Sequence, residues 1–178
     1  MQKFSEINKI NCVLIPGAQS SGVAAASGNA VYETDTLNME GYRKCTFIYA
    51  IGAAVAATHW NIVPMCGDLS TTGTGAVTPI TGYHYRTQGT TDTAYVDDIP
   101  GALTAGTSAG VDTTTGYVGG LVIFEIEAPE VKDTGSTCKF VKLYLTGTTA
   151  ADAPRGSCCI AILSEPRFQQ AILDTVIS

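Results

Sequence analysis

Five consecutive residues, Gly106-Thr107-Ser108-Ala109-Gly110, match the G-x-S-x-G pattern of a serine nucleophile. That chemistry needs a sharp strand-to-helix turn that exposes the hydroxyl, with a histidine later in the chain to take its proton. Here Val111 to Gly116 does not read as a helix start, and both histidines, His59 and His84, precede Ser108. In a chain rich in Gly, Ser and Thr, a chance match is the expected reading. Zinc would draw on Cys45, His59 and Cys66, but no Cys-x-x-Cys or His-x-x-x-His spacing brings such ligands together. Asp92, Asp97 and Asp98 could offer oxygens to calcium, yet they lack EF-hand spacing and read as a solvated loop.

Other candidates weaken on the same inspection. Gly73-Thr74-Gly75 lacks the third glycine of a dinucleotide loop, and no Gly-Lys-Ser/Thr follows it. Cys158 and Cys159 are adjacent, and in a strand neighbouring side chains point to opposite faces, which opposes a redox ring between them. Tyr83, Tyr85 and Tyr95 could build an aromatic platform for a sugar or a partner. Ordinary strand packing is the more economical expectation for them. No catalytic, cofactor-binding or metal-binding residue is therefore assigned, no cofactor is expected, and the chain reads as no enzyme.

Charge and hydropathy narrow the partners. The 178 residues carry a formal net charge of −6 with 10 basic residues, scattered along the chain. A sequence-independent nucleic-acid binder needs clustered Lys and Arg to displace counterions from phosphates. The same balance disfavours an anionic membrane surface. Thr46 to Ala57 is the most membrane-like stretch, but about 20 apolar residues are needed to cross hydrocarbon. A buried strand running into a small-residue turn explains it better.

Six cysteines, at 12, 45, 66, 138, 158 and 159, invite a disulfide reading. The N-terminal stretch lacks a basic segment followed by a long apolar run, and no Asn-X-Ser/Thr acceptor is present. The thiols are accordingly expected to be mostly reduced and buried, as small apolar strand residues.

The elements that would position any site read as strands. Two apolar tracts, Leu37 to Met65 and Lys139 to Phe168, have β character and chemically silent flanks. Within and around them, alternation or branched and aromatic enrichment predicts strands at Ala30–Thr36, Lys44–Ile51, Thr58–Met65, Leu121–Glu127 and Phe140–Thr146. Pro64 cannot donate to a ladder, so Thr58–Met65 should end there or lie at an edge. Cys158–Leu163 is a near-continuous apolar run, the pattern of a strand covered on both faces. Residues 1–30 read as an N-terminal arm or linker, with small residues from 17 to 30. Residues 67–120 form a Gly/Thr-rich insertion, too long for a structureless loop, with short strands expected at Gly82–Arg86 and Thr93–Ile99. A short helical pattern, Phe168, Ile172, Leu173 and Val176, occupies the tail. Many short strands with turn signals and little helix predict one all-β domain over 31–178, a sandwich or barrel.

Four blocks, Asp35 to Gly52, Thr58 to Met65, Lys139 to Leu143 and Glu165 to Phe168, together resemble the small tailed-phage capsid-auxiliary proteins, which decorate or cement the phage head. The run from Asp35 to Gly52 is similar to their Asp–hydrophobic–Gly-Tyr turn followed by an apolar strand. Thr58 to Met65 looks like their next strand, and Lys139-Phe140-Val141-Lys142-Leu143 like their Arg-Tyr-Val-Arg strand. Glu165-Pro166-Arg167-Phe168 is similar to their closing Pro-Arg-aromatic signature. The insertion at 67–120 and the extension Gln169 to Ser178 depart from that pattern.

The resemblance implies a jelly-roll-like β-sandwich that is a structural component of the virion. It would be made in the host cytoplasm and carried on the capsid surface. Its partners would be the major capsid protein and neighbouring copies of itself, as a homo-oligomer with a trimer favoured. The alternative is a receptor- or carbohydrate-binding β-module of a phage head or tail fibre, with Tyr83 and Tyr85 as the residues to test. Neither reading involves nucleic acid or membrane.

Overall fold

The structure is a computed structural model describing residues 8–14, 23–24, 30–51, 60–67, 78–88, 102–113, 120–128, 138–147 and 157–166. These residues form thirteen strands: β1 Lys9–Leu14, β2 Val23–Ala24, β3 Ala30–Glu33, β4 Leu37–Asn38, β5 Tyr42–Ala50, β6 Trp60–Gly67 and β7 Thr78–Pro79, then β8 His84–Gln88, β9 Thr104–Ala105, β10 Val111–Thr113, β11 Leu121–Glu127, β12 Phe140–Gly147 and β13 Cys158–Pro166. They make two antiparallel sheets. Sheet A runs β1-β13-β5-β11-β8-β9 and sheet B runs β10-β6-β12-β3-β2, with β4 on β12 and β7 on β6.

The expected all-β sandwich is present, and its strand order is that of a jelly roll. Eight strands, β1, β3, β5, β6, β10, β11, β12 and β13, are numbered in chain order, leaving β8 and β9 as an extension of sheet A and β2, β4 and β7 as additions to sheet B. Sheet A then holds the first, eighth, third and sixth, and sheet B the second, seventh, fourth and fifth. The two apolar tracts interlock rather than sit apart. Each gives strands to both sheets, so β5 pairs β13 in sheet A and β6 pairs β12 in sheet B. The core lies between them, with Phe47, Tyr49, Phe124 and Ile126 of sheet A facing Ile62, Val141, Leu143 and Leu145 of sheet B. Burying each such side chain is worth about 1.5–3 kcal/mol, which is what holds the two layers together.

Three expectations change. Within the stretch expected to be an arm, Lys9–Leu14 is β1, hydrogen-bonded to β13, and Val13 is buried in the core. Asn11 and Lys9 share the inward parity with Val13, so polar residues hid the alternation. Residues 67–120, expected to hold extra hairpins or a protruding lobe, contribute further strands in their described part. Strands β8 and β9 extend sheet A, while β7 and β10 pair β6 in sheet B. The strand expected at Gly82–Arg86 is β8; the one expected at Thr93–Ile99 and the tail pattern lie outside the described residues.

Pro64 does not end its strand or mark an edge. It is buried in the middle of β6, opposite Leu143. Leu143 directs its own N–H and C=O toward Thr34, away from β6, so this pair needs no N–H from Pro64. On its other side Pro64 meets the gap between β10 and β7, where its carbonyl accepts Ile80 N at 2.9 Å. The missing donor therefore leaves no ladder bond unmade.

The last change concerns β13. Its apolar run is not covered on both faces by the described residues. Cys159, Ala161 and Leu163 are buried in the core, whereas Ile160, between them on the other face, is 39% exposed.

Candidate functional site

The residues with nominal chemistry occupy structural posts. Gly106 to Gly110 is a turn that crosses from β9 of sheet A to β10 of sheet B. It is closed by Gly110 N donating to Thr107 O at 3.0 Å. Gly110 has φ +83°, the left-handed region that suits glycine, and Asn61 Nδ2 holds the turn through Ala109 O at 2.9 Å. Gly106 lies flat on the Tyr83 ring, where any Cβ would overlap it. Both glycines are thus explained by backbone geometry. Ser108 is exposed at the tip of a strand–turn–strand link, not on a strand-to-helix elbow, and His84 belongs to β8, paired with Ala105.

The tyrosines divide. Tyr83 is 0% exposed, and its hydroxyl donates to Thr107 O at 3.1 Å. Its ring centre lies 5.9 Å from Phe124 and 6.3 Å from Tyr85. Burial pushes its phenol up to about 12, with the neighbouring Tyr85 adding to the shift. Tyr83 therefore packs the core and cannot present a face to a sugar. Tyr85 is half-buried against the same core, and Tyr95 lies outside the described residues.

The cysteines also divide. Cys66 and Cys138 form a disulfide, with Cα atoms 5.4 Å apart, which sequence spacing did not predict. Cys138 immediately precedes Lys139, whose N–H bonds Gly67 O at 3.1 Å, and that short bridge places the two thiols side by side. Cys45 and Cys159 are buried thiols whose pKa values are driven upward by desolvation. As expected of strand neighbours, Cys158 turns outward and Cys159 inward.

Among the described residues no three His, Cys, Asp or Glu side chains gather as metal donors. Of the three zinc candidates, Cys45 is buried, Cys66 is bonded to Cys138, and His59 lies outside the described residues with Asp92, Asp97, Asp98 and Gly73 to Gly75.

One surface stands out instead, the outward face of sheet A. Cys12, Ile160, Ile48, Ile123 and Arg86 are successive register partners on β1, β13, β5, β11 and β8. The next row is Ile10, Ile162, Thr46, Glu125 and His84. Ala50 aligns with Cys158 and Leu121 on one flank, and Lys44 with Ser164 and Glu127 on the other. All belong to the parity opposite the buried core residues. The result is an aliphatic field, with Ile10 50% exposed, bordered by a Lys44 Nζ–Glu125 Oε2 pair at 2.5 Å. Its signal in the sequence was the unbroken apolar run at 158–163, which alternation alone could not assign to a partner.

Sheet B differs on its outward side. Val63 and Lys142 there are buried, and Lys142 Nζ meets Glu33 Oε2 at 2.9 Å.

No family model matches the chain, and no curated protein matches it. Solved structures to which the chain is similar include two of infectious bursal disease virus. The structure of infectious bursal disease virus Gx strain is 9% identical over 88% of this chain and 41% of that one, with a TM-score of 0.25. The structure of the Gt strain is 7% identical over 93% and 43%, with a TM-score of 0.21. The chain spans about two fifths of the length of the viral chains it matches, and likeness at these TM-scores carries no weight for function.

Proposed function

We propose that the protein is a non-enzymatic structural component of a virion, a decoration or cement protein that binds the assembled capsid surface of a tailed phage. The strand order carries this reading. Double-sheet jelly rolls serve as viral capsid domains, as lectins and as cupins, and the first of these suits a chain with no assigned catalytic or metal-binding residue. The block resemblance at Asp35 to Gly52, Lys139 to Leu143 and Glu165 to Phe168 adds the decoration role, since fold alone does not specify function.

The mechanism is linkage. A protein that binds only the assembled shell stabilises it by mass action, and many copies on a symmetric lattice gain avidity without a large single interface. The partners are the major capsid protein and neighbouring copies. Purified protein mixed with mature and with unassembled capsid protein of the encoding phage should co-sediment with shells alone and raise their melting temperature. Failure to associate with any shell, together with absence from purified particles, overturns the reading.

A carbohydrate-binding role remains the second reading, because lectins share the jelly roll. Tyr85 is the residue left to carry it, since Tyr83 is buried. Glycan-array binding that is lost in Tyr85→Ala would favour it.

A further inference from the structure

We infer that the outward face of sheet A is where a second copy of this chain docks, face to face about a two-fold axis. This goes beyond the capsid reading, because it concerns the isolated protein whichever particle it serves.

The field is apolar where strands normally show solvent-facing polar residues. An antiparallel sheet with one solvated face alternates hydrophobic-in and polar-out. In β13 the inward Cys159, Ala161 and Leu163 are interleaved with Ile160 and Ile162, and register continues the outward row through Ile48 and Ile123. Ile10 and Ile160 are exposed and Ile48, Ile123 and Ile162 half-buried, and apolar patches of this kind mark interaction sites.

Charge selects the occupant. The whole chain carries −6, so two copies repel at most approaches. Among the described residues, however, the outward positions of this face carry two cations, Lys44 and Arg86, and two anions, Glu125 and Glu127, which sum to zero. A two-fold contact brings the same patch onto itself, and a border holding both signs complements itself under that rotation. A strongly basic or strongly acidic partner would gain nothing from it.

Size agrees with a modest dimer. Five strands at about 4.8 Å spacing and six residue steps at about 3.4 Å give roughly 19 by 20 Å in projection. That is about half the ~800 Å² per partner of a standard interface before side-chain relief is added. A contact of this size belongs to the weak, transient class, so dimerisation is sought at micromolar concentrations and above.

Sedimentation velocity of the full chain over about 1–300 µM tests this range. A concentration-dependent monomer–dimer equilibrium is expected, weakened at least about tenfold by Ile160→Lys and by Ile10→Lys. Ile10 is half-exposed on the edge strand, so its variant keeps the test open if Ile160→Lys does not fold, with near-UV circular dichroism as the check. A wild-type monomer at every concentration overturns the proposal, as does a dimer untouched by both folded variants. If the monomer instead loses shell binding in Ile160→Lys, the face belongs to the capsid protein, and the capsid reading survives without this one.

Discussion

Thr34 stands in for a strand where none continues: its Oγ1 accepts Leu143 N at 2.9 Å while its own N donates to Leu143 O at 3.0 Å. Strand β3 stops at Glu33 and β4 begins at Leu37, both pairing β12, so the hydroxyl completes the ladder across the break. Thr34→Val keeps the shape and removes the acceptor, leaving a buried N–H unpaired. A loss of about 1–3 kcal/mol is expected in urea unfolding, with Thr34→Ser largely restoring it. An unchanged midpoint for Thr34→Val would show that water or another group satisfies Leu143.

The turn at Gly106 to Gly110 should respond to backbone, not hydroxyl, substitution. Gly106→Ala forces a methyl into the Tyr83 ring and should cost about 1–3 kcal/mol or more. Ser108→Ala, at an exposed tip, should stay within about 0.5 kcal/mol of the parent. Thermal melts of the two variants give the comparison directly, and a large loss for Ser108→Ala would contradict the turn as described.

The Cys66–Cys138 disulfide closes a sequence separation of 72 residues. On the chain-entropy account, opening a loop of that size costs about 4 kcal/mol. Reduced protein and Cys66→Ser/Cys138→Ser should therefore melt well below the oxidised form. In native oxidised protein a thiol reagent should modify the exposed Cys12 first. Cys45 and Cys159, whose thiolates are disfavoured by burial, should react only on unfolding. Mass spectrometry of labelled peptides reads the order.

Alkali should unfold the domain through its buried phenols. Tyr83 holds its proton to about pH 12 when folded, while an unfolded tyrosine loses it near pH 10. Between those values the native state binds the extra proton, so stability falls as pH rises, and below pH 10 the contribution is fully present. Tyr49, desolvated in the core, shifts in the same direction, as do the Cys45 and Cys159 thiols. Tyrosine ionisation, followed by ultraviolet absorbance, should coincide with loss of near-UV circular dichroism rather than precede it. Two well-separated transitions would rule out that coupling.

Strand existence was legible residue by residue. Lys44–Ile51, Leu121–Glu127 and Phe140–Thr146 carry alternation or branched and aromatic residues strong enough to locate β5, β11 and β12. Strand β1 was not legible, because Asn11 and Lys9 interrupt its inward parity and only pairing with β13 reveals it. Pro64 misled for a related reason. Its cost depends on which side of the strand each neighbour's N–H points, and no single strand contains that information. The motif at Gly106 to Gly110 failed as chemistry on the sequence's own terms, but why glycine sits at both ends needed Tyr83 and Asn61 in place.

Sequence by itself determined the class: short-range alternation, turn residues and sparse charge leave an all-β sandwich or barrel, because those signals act between near neighbours. Only tertiary structure decided which strands meet. The pairing of β5 with β13 and β6 with β12, the joining of Cys66 to Cys138, and the assembly of Cys12, Ile160, Ile48 and Ile123 into one outward row all depend on register between distant segments. A one-residue slip of a sheet A strand against its neighbour would turn its part of that row inward, and the hydrophobic core prevents the slip.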